Sequence, residues 1–255
     1  MELLVYDGSF EGWLTAVFEV YEYKFAEPAI RTAQRAQPNA FGKTHHVHTN
    51  QAKANRVWKG LQQKISSRAS SHIYQAFLSE LPSIEDALLR YVQYIFRSKT
   101  IVETNYANQD VLVVQQTSRK VQREKHRMEA FVRFQLTKDQ LYYAIVQPDF
   151  NVLPLVARHF KERYADQRWL IYDAARKYGI YYDLEKVETV EINFDESTSG
   201  GANISAMADE SEPMYQMLWQ QYFGSVNIAA RKNTKLHLKH MPKRYWKYLP
   251  EKSAR

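Results

Sequence analysis

The apolar pattern changes period near residue 128, and no single type of regular element satisfies both halves. Upstream, apolar residues recur at intervals of three and four. Phe10, Trp13, Leu14, Val17, Phe18 and Tyr21 share one helical face behind Ser9, a residue type suited to an N-cap. Thr49 or Asn50 opens a second helix with Ala54, Val57, Trp58, Leu61 and Ile65 in register. Ser83 starts a third, Ile84 to about Ser98, striped by Leu88, Tyr91, Val92 and Ile95. Its hydroxyl and the Asp86 carboxylate fit a reciprocal capping box. A fourth stretch runs from about Asp110 to Arg127. Only a short strand, Leu3 to Tyr6, precedes these helices, and Glu27 to Thr49, with Pro28, Pro38 and Gly42, shows no clear period.

Downstream the texture is that of strands. Glu129–Leu136 and Leu141–Gln147 predict a hairpin around Lys138 and Asp139. An amphipathic helix follows, Asn151 to Tyr164, capped by Asp149 or Asn151, with Val152, Leu155, Val156, Phe160 and Tyr164 inward. Pro154 is tolerated in its first turn. Arg168–Asp173 and Tyr178–Asp183 form a second hairpin, and Val187, Val190, Ile192 and Phe194 alternate beyond it. This order is not the regular alternation of a doubly wound parallel sheet. The expectation is an α+β fold forming one domain over residues 1–255. It has a helical N-terminal half (9–127) and an antiparallel sheet with a ββαββ core (about 128–194). An acidic loop (195–212) and a C-terminal helix with a basic tail (213–255) follow.

Composition narrows the chemistry. The chain has no cysteine, which excludes a disulfide scaffold, a thiol nucleophile, a thiolate zinc site and a self-ligated iron–sulfur cluster. Eight glycines in 255 residues, with no GxGxxG, GxSxG, HExxH or phosphate-loop pattern, argue against the usual nucleotide cradles. No apolar run reaches the roughly 18 residues of a spanning helix, and MELLVYDGSF lacks the look of a signal peptide. A cytoplasmic protein with no membrane partner, no metal and no cofactor is expected.

The net charge of +7 is concentrated. Nine Lys and Arg and one Glu lie between Arg231 and Arg255, and the remainder holds 26 basic and 27 acidic residues. Asp183 to Pro213 carries nine acids against Lys186. A basic tail beside an acidic segment fits a polyanion-binding surface, or a solvated face and linker. In the tail, Lys243, Arg244, Tyr245, Trp246 and Lys247 interleave cations with rings, which suits backbone charge and base stacking; Arg231 and Lys232 add to the same charge. The alternative is a tail docked on the body with its rings buried. Arg119, Arg123 and Arg127 share one helical face at a spacing that matches successive phosphates, or form an ordinary solvated face paired with Glu124. His45, His46 and His48 lack a neighbouring acid to complete a metal site. His159 falls on the packed side of its helix, as a core histidine or else a general base or phosphate contact. Asp173 and Asp183 end strands that point apart, which makes Arg176 the better ligand contact.

Several stretches together resemble one family of DNA-metabolism proteins built on a domain of unknown function. They are Tyr6-Asp-Gly-Ser-Phe-Glu-Gly12, Arg56-Val-Trp-Lys-Gly-Leu61, Glu124-Lys-His-Arg-Met128, Phe131-Val-Arg-Phe134 and Pro148-Asp-Phe-Asn-Val-Leu-Pro154 with His159-Phe160. Trp169-Leu-Ile-Tyr-Asp173 with Arg176, Tyr182-Asp183, Asn227-Ile-Ala-Ala-Arg-Lys-Asn233 and Met241-Pro-Lys-Arg-Tyr-Trp-Lys-Tyr-Leu-Pro-Glu251 complete the set. The resemblance implies a gene neighbour that is a radical SAM protein of DNA modification or repair. It also implies relatives fused ahead of a uracil-DNA glycosylase domain. This chain carries neither a glycosylase motif nor cluster cysteines, so neither activity is its own. The function expected is a DNA-repair accessory that binds single- or double-stranded DNA and works with the radical SAM protein, with uracil-DNA glycosylase as a further partner. Two alternatives stand beside it. One is an enzyme acting on damaged nucleotides or DNA, of hydrolase or lyase type, using His126, Arg133, Asp149, His159 or Arg176. The other is a pure protein–protein adaptor.

Overall fold

Leu3, Leu4, Val5 and Tyr6 are all buried, which is the pattern of a strand covered on both faces rather than one facing water. This strand, β1 (Glu2–Tyr6), is the centre of a parallel sheet in the order β2-β1-β3. The computed structural model describes residues 2–36, 43–191, 238 and 240–253. The chain divides into two compact units, Met1–Gln122 and Arg123–Arg255. Helices and strands are both present among the described residues, a mixed α+β composition. Among the described residues no helix is long and apolar enough to cross a membrane.

In the first unit, α1 (Phe10–Glu22) returns the chain from β1 to β2 (Pro28–Thr32), so the two strands run parallel. Ser9 caps α1 as expected: its Oγ accepts from the Gly12 amide at 2.9 Å. The Ser9 amide and hydroxyl donate to Asp7, as does the Thr49 hydroxyl at 2.7 Å. With Thr49 so engaged, Asn50 caps α2 (Gln51–Gln62), accepting from the amides of Ala52 and Lys53. Fully buried Trp13 anchors the core. Phe10 stacks on it and meets Trp58, Tyr74 and Phe77 within 5.3 Å between ring centroids.

Three features of this unit depart from the expected short opening strand followed by four helices and a capping box. The stretch without a period contains β2 and β3 (Lys43–His46), both edge strands, and β3 is polar throughout. A helix, α3 (Ser67–Phe77), lies between α2 and α4 (Ile84–Arg97), its buried stripe built on Ala69, Ile73, Ala76 and Phe77. The capping box at Ser83 does not form. Ser83 adopts a left-handed conformation with φ 62° and no cap hydrogen bond. Asp86 instead accepts two 2.7 Å hydrogen bonds from the guanidinium of Arg31, a stronger partner than the backbone amide of Ser83.

The helix α5 (Gln109–Phe131), which begins in the first unit and ends in the second, stops four residues later than its periodicity predicts. The expected strand from Glu129 therefore shrinks to β4 (Gln135–Leu136), paired with β5 (Tyr142–Val146). α6 (Leu153–Arg163) then leads to β6 (Trp169–Asp173), β7 (Tyr178–Tyr182) and β8 (Val187–Glu191) in a sheet ordered β4-β5-β6-β7-β8. The sheet is mixed, which corrects the antiparallel expectation. β5 and β6 are parallel, with Tyr142 opposite Trp169 and Val146 opposite Asp173, because α6 carries the chain back before β6 begins. The β6–β7 hairpin is antiparallel as expected. Trp169, Phe160 and Ile171 are the buried centre, with Phe134 edge-on to Phe160 at 5.7 Å. The acidic loop, the helix expected at 213–223, and Ile192 and Phe194 lie outside the described residues.

A Cβ added to Gly12 would stand 2.2 Å from Asp7 Oδ1 and 2.8 Å from Thr49 Oγ1, atoms already fixed by the bonds above. Gly12→Ala is expected to lower stability by about 1–3 kcal/mol through this overpacking. Urea unfolding of the variant against the wild type measures it.

Candidate nucleic-acid interface

Glu124 stands on α5 four residues before Met128, and both are buried, at 1% and 2% exposure. A carboxylate in that position requires donors, and four groups supply them. The Asp149 amide donates at 2.8 Å, Arg127 lies at 3.2 Å and Arg244 at 3.5 Å, and the Tyr245 hydroxyl donates as well. These donors come from α5 itself, from the β5–α6 turn and from the end of the chain. Burial pushes the Tyr245 hydroxyl upward in pKa, and the Glu124 carboxylate adds to the shift, so it stays protonated as a donor.

The turn Pro148–Asn151 is braced from below. The Arg176 guanidinium donates to the carbonyls of Pro148 at 3.2 Å and Asp149 at 3.3 Å. It also pairs at 2.9 Å with Asp173, which is fully buried and takes the amides of Ala175 and Arg176 as well. Neither Asp149 nor Asn151 caps α6, correcting that expectation; its N-cap is Val152, without a side-chain bond. Asn151 accepts instead from the Tyr178 hydroxyl. The Asp149 carboxylate lies 2.6 Å from Arg244. Burial pushes its pKa up from the ordinary aspartate value and Glu124 adds to this, against the pull of Arg244, Arg127 and Arg176.

The tail segment is a 3₁₀ turn, Lys243–Tyr248, that buries Tyr245 and, just after it, Leu249. The tail turn is thus docked through its rings, as the second reading expected. The apolar side docks, while Lys243, Arg244 and Lys247 stay exposed. Lys247 donates to Gln147 Oε1 at 2.6 Å, and the Tyr248 hydroxyl reaches the same oxygen at 3.0 Å. Trp246 is half-buried, its indole N–H bonded to the Met241 carbonyl at 3.1 Å, and Lys252 lies 5.2 Å from the ring centroid. Between turn and body is a cleft of about 480 Å³. Lys243, Arg244 and Lys247 line it together with Gln147, Pro148, Asp149 and Ala175.

The other candidate residues are distributed elsewhere. Arg119 and Arg123 are exposed on α5, whereas Arg127 turns to Glu124, so the three do not form one free row of cations. Arg231 and Lys232 lie outside the described residues. His126 and His159 both face Glu129, at 3.7 Å and 3.9 Å, and His159 is half-exposed rather than a core residue. Arg133 donates to the carbonyls of Ala130 and Val132, closing the end of α5. Of the five residues named for catalysis, Asp149 alone lines the cleft. Asp183 accepts from the amides of Glu185 and Lys186. His45 bonds Glu19 at 2.8 Å, and among the described residues no cluster fit for a metal occurs. Glu124 was expected only as a surface pairing partner of the arginines on α5; it does pair with Arg127 at 3.2 Å, but it is buried, and its further donors and the role of Gln147 were not foreseen. The signal for Glu124 is an acid placed four residues before an apolar one within a run of cations.

A family model described as a domain of unknown function, DUF4130, matches residues 82–251. No curated protein matches the chain.

Two outcomes follow from this geometry. Tyr245→Phe removes a donor from a buried carboxylate and is expected to cost about 1–3 kcal/mol in urea unfolding. Asp149 binds its proton more tightly in the folded chain than in the unfolded one. Its contribution to stability is therefore greatest at acid pH and declines as pH rises through the ordinary carboxylate range to the raised folded value. In a pH series of melting temperatures, the wild type should gain on Asp149→Asn as pH falls through that window.

Proposed function

The chain belongs to the DUF4130 family, and we propose that it is a nucleic-acid-binding accessory of DNA metabolism. The observation that carries this reading is the docked tail turn. By burying Tyr245 and Leu249 it holds Lys243, Arg244 and Lys247 at one cleft, with the Trp246 indole beside them. Cations held in place by the fold lose less freedom on meeting phosphates than cations on a solvated chain do. Arg123, exposed on α5 in the same unit, adds a further cation for a strand.

The finer parts of the proposal come from the sequence resemblance. The protein acts in the cytoplasm on single- or double-stranded DNA beside a radical SAM repair protein, with uracil-DNA glycosylase as a further partner. Pull-down of the radical SAM protein with and without DNA separates a DNA-dependent accessory from a pure adaptor.

Fluorescence anisotropy with single- and double-stranded oligonucleotides over a salt series tests the binding. Dissociation constants tighter than about 10⁻⁴ M at low salt are expected, and weaker binding removes the proposal. Lys243→Ala and Lys247→Ala should each reduce the slope of log affinity against log salt by about 0.9 on a duplex or about 0.7 on a single strand. Both should act alike on all sequences, since phosphate contacts carry no base information.

A further inference from the structure

We infer that the cleft between the tail turn and the β5–α6 turn is a pocket for a nucleotide bearing a terminal phosphate, an inference that rests on the nucleic-acid reading above. Three cations and one carboxylate line it: Lys243, Arg244 and Lys247 against Asp149. The formal balance of that lining is two positive charges. A backbone phosphodiester carries one negative charge, whereas a phosphate monoester carries about 1.5 to 2 near neutral pH. The monoester matches the lining and the diester leaves it in excess.

Shape and contacts point the same way. A volume of about 480 Å³ falls within the roughly 300–1,000 Å³ of small-ligand sites, and a continuous duplex backbone needs no such concavity. Arg244 is held by Asp149 at 2.6 Å and by the Tyr245 hydroxyl, so its guanidinium is oriented before a ligand arrives. Lys247 is directed by Gln147. Pro148 and Ala175 supply apolar wall for a sugar or base edge, and the Gln147 amide adds a polar group beside them. The shared ligand chemistry is a nucleoside phosphate monoester, either free or as the phosphorylated end of a strand.

Four probes test this by titration on the full chain: thymidine, thymidine 5′-monophosphate, and one single-stranded dodecamer with hydroxyl ends or with a 5′-phosphate. The monophosphate should bind and thymidine should not. If the strand end is the source, the phosphorylated dodecamer should bind at least about tenfold tighter than its hydroxyl-ended twin. If the free nucleotide is the source, the two dodecamers should bind alike while the monophosphate still binds. Ala175 is exposed and lines the cleft, so Ala175→Leu fills space without changing charge. This variant should weaken the monophosphate by at least about tenfold, and the hydroxyl-ended strand by less. Lys247→Ala should weaken both. A monophosphate that fails to bind, with no preference for the phosphorylated dodecamer, overturns the pocket while the strand still binds. So does a monophosphate indifferent to Ala175→Leu. Failure of every probe overturns the nucleic-acid reading itself.

Discussion

A carboxylate taken out of water organises the second unit. Glu124, 1% exposed, is satisfied only when the α5 helix, the turn after β5 and the tail turn all reach it. Such a group is weak evidence of net stability, because desolvating the charge opposes its attraction to the partners. Its effect is on arrangement. An unpartnered carboxylate in that position is costly, so competing placements of the tail or of the Asp149 turn are disfavoured. The cleft exists because two of the donors meeting at Glu124 also form its walls.

The charge pattern in that region has a hierarchy. Arg176 and Arg127 are consumed by structure, one beneath the turn and one beside Glu124. Arg244 is shared, since it pairs with Asp149 and Glu124 and still has two-fifths of its side chain exposed. Lys243 and Lys247 are exposed on the turn. A row of basic letters in a sequence conceals these differences, because a cation's availability depends on which acids the fold brings to it.

The parts legible in the sequence are those whose signal is local. α1, α2, α4 and α6 carry apolar stripes long enough to declare a period, and the β6–β7 hairpin carries a turn between two apolar runs. α3 is thinly marked because alanines form half of its buried stripe. β2 and β3 are edge strands, and edges lack the apolar alternation that identifies a strand. The direction of β5 against β6 is a property of the connection between them, not of either strand. At the site, Lys243, Arg244 and Lys247 are visible as a basic cluster. Glu124 shows locally only as an acid before an apolar residue in a run of cations; its bond from Tyr245, and that of Gln147 from Lys247, come from far along the chain, and no local pattern records them.

The borders of the two sheets have a consequence for behaviour at high concentration. Among the described residues β3 is Lys-Thr-His-His, β8 carries Glu188 and Glu191, β4 has two residues, and β2 opens on Pro28 with Arg31 tied to Asp86. Each offers a poor template for the backbone of another molecule, through charge, brevity or a missing N–H. Copies of this chain crowded together would meet at distances where strand-to-strand fusion becomes a hazard. Borders of this kind let such neighbours collide and separate again.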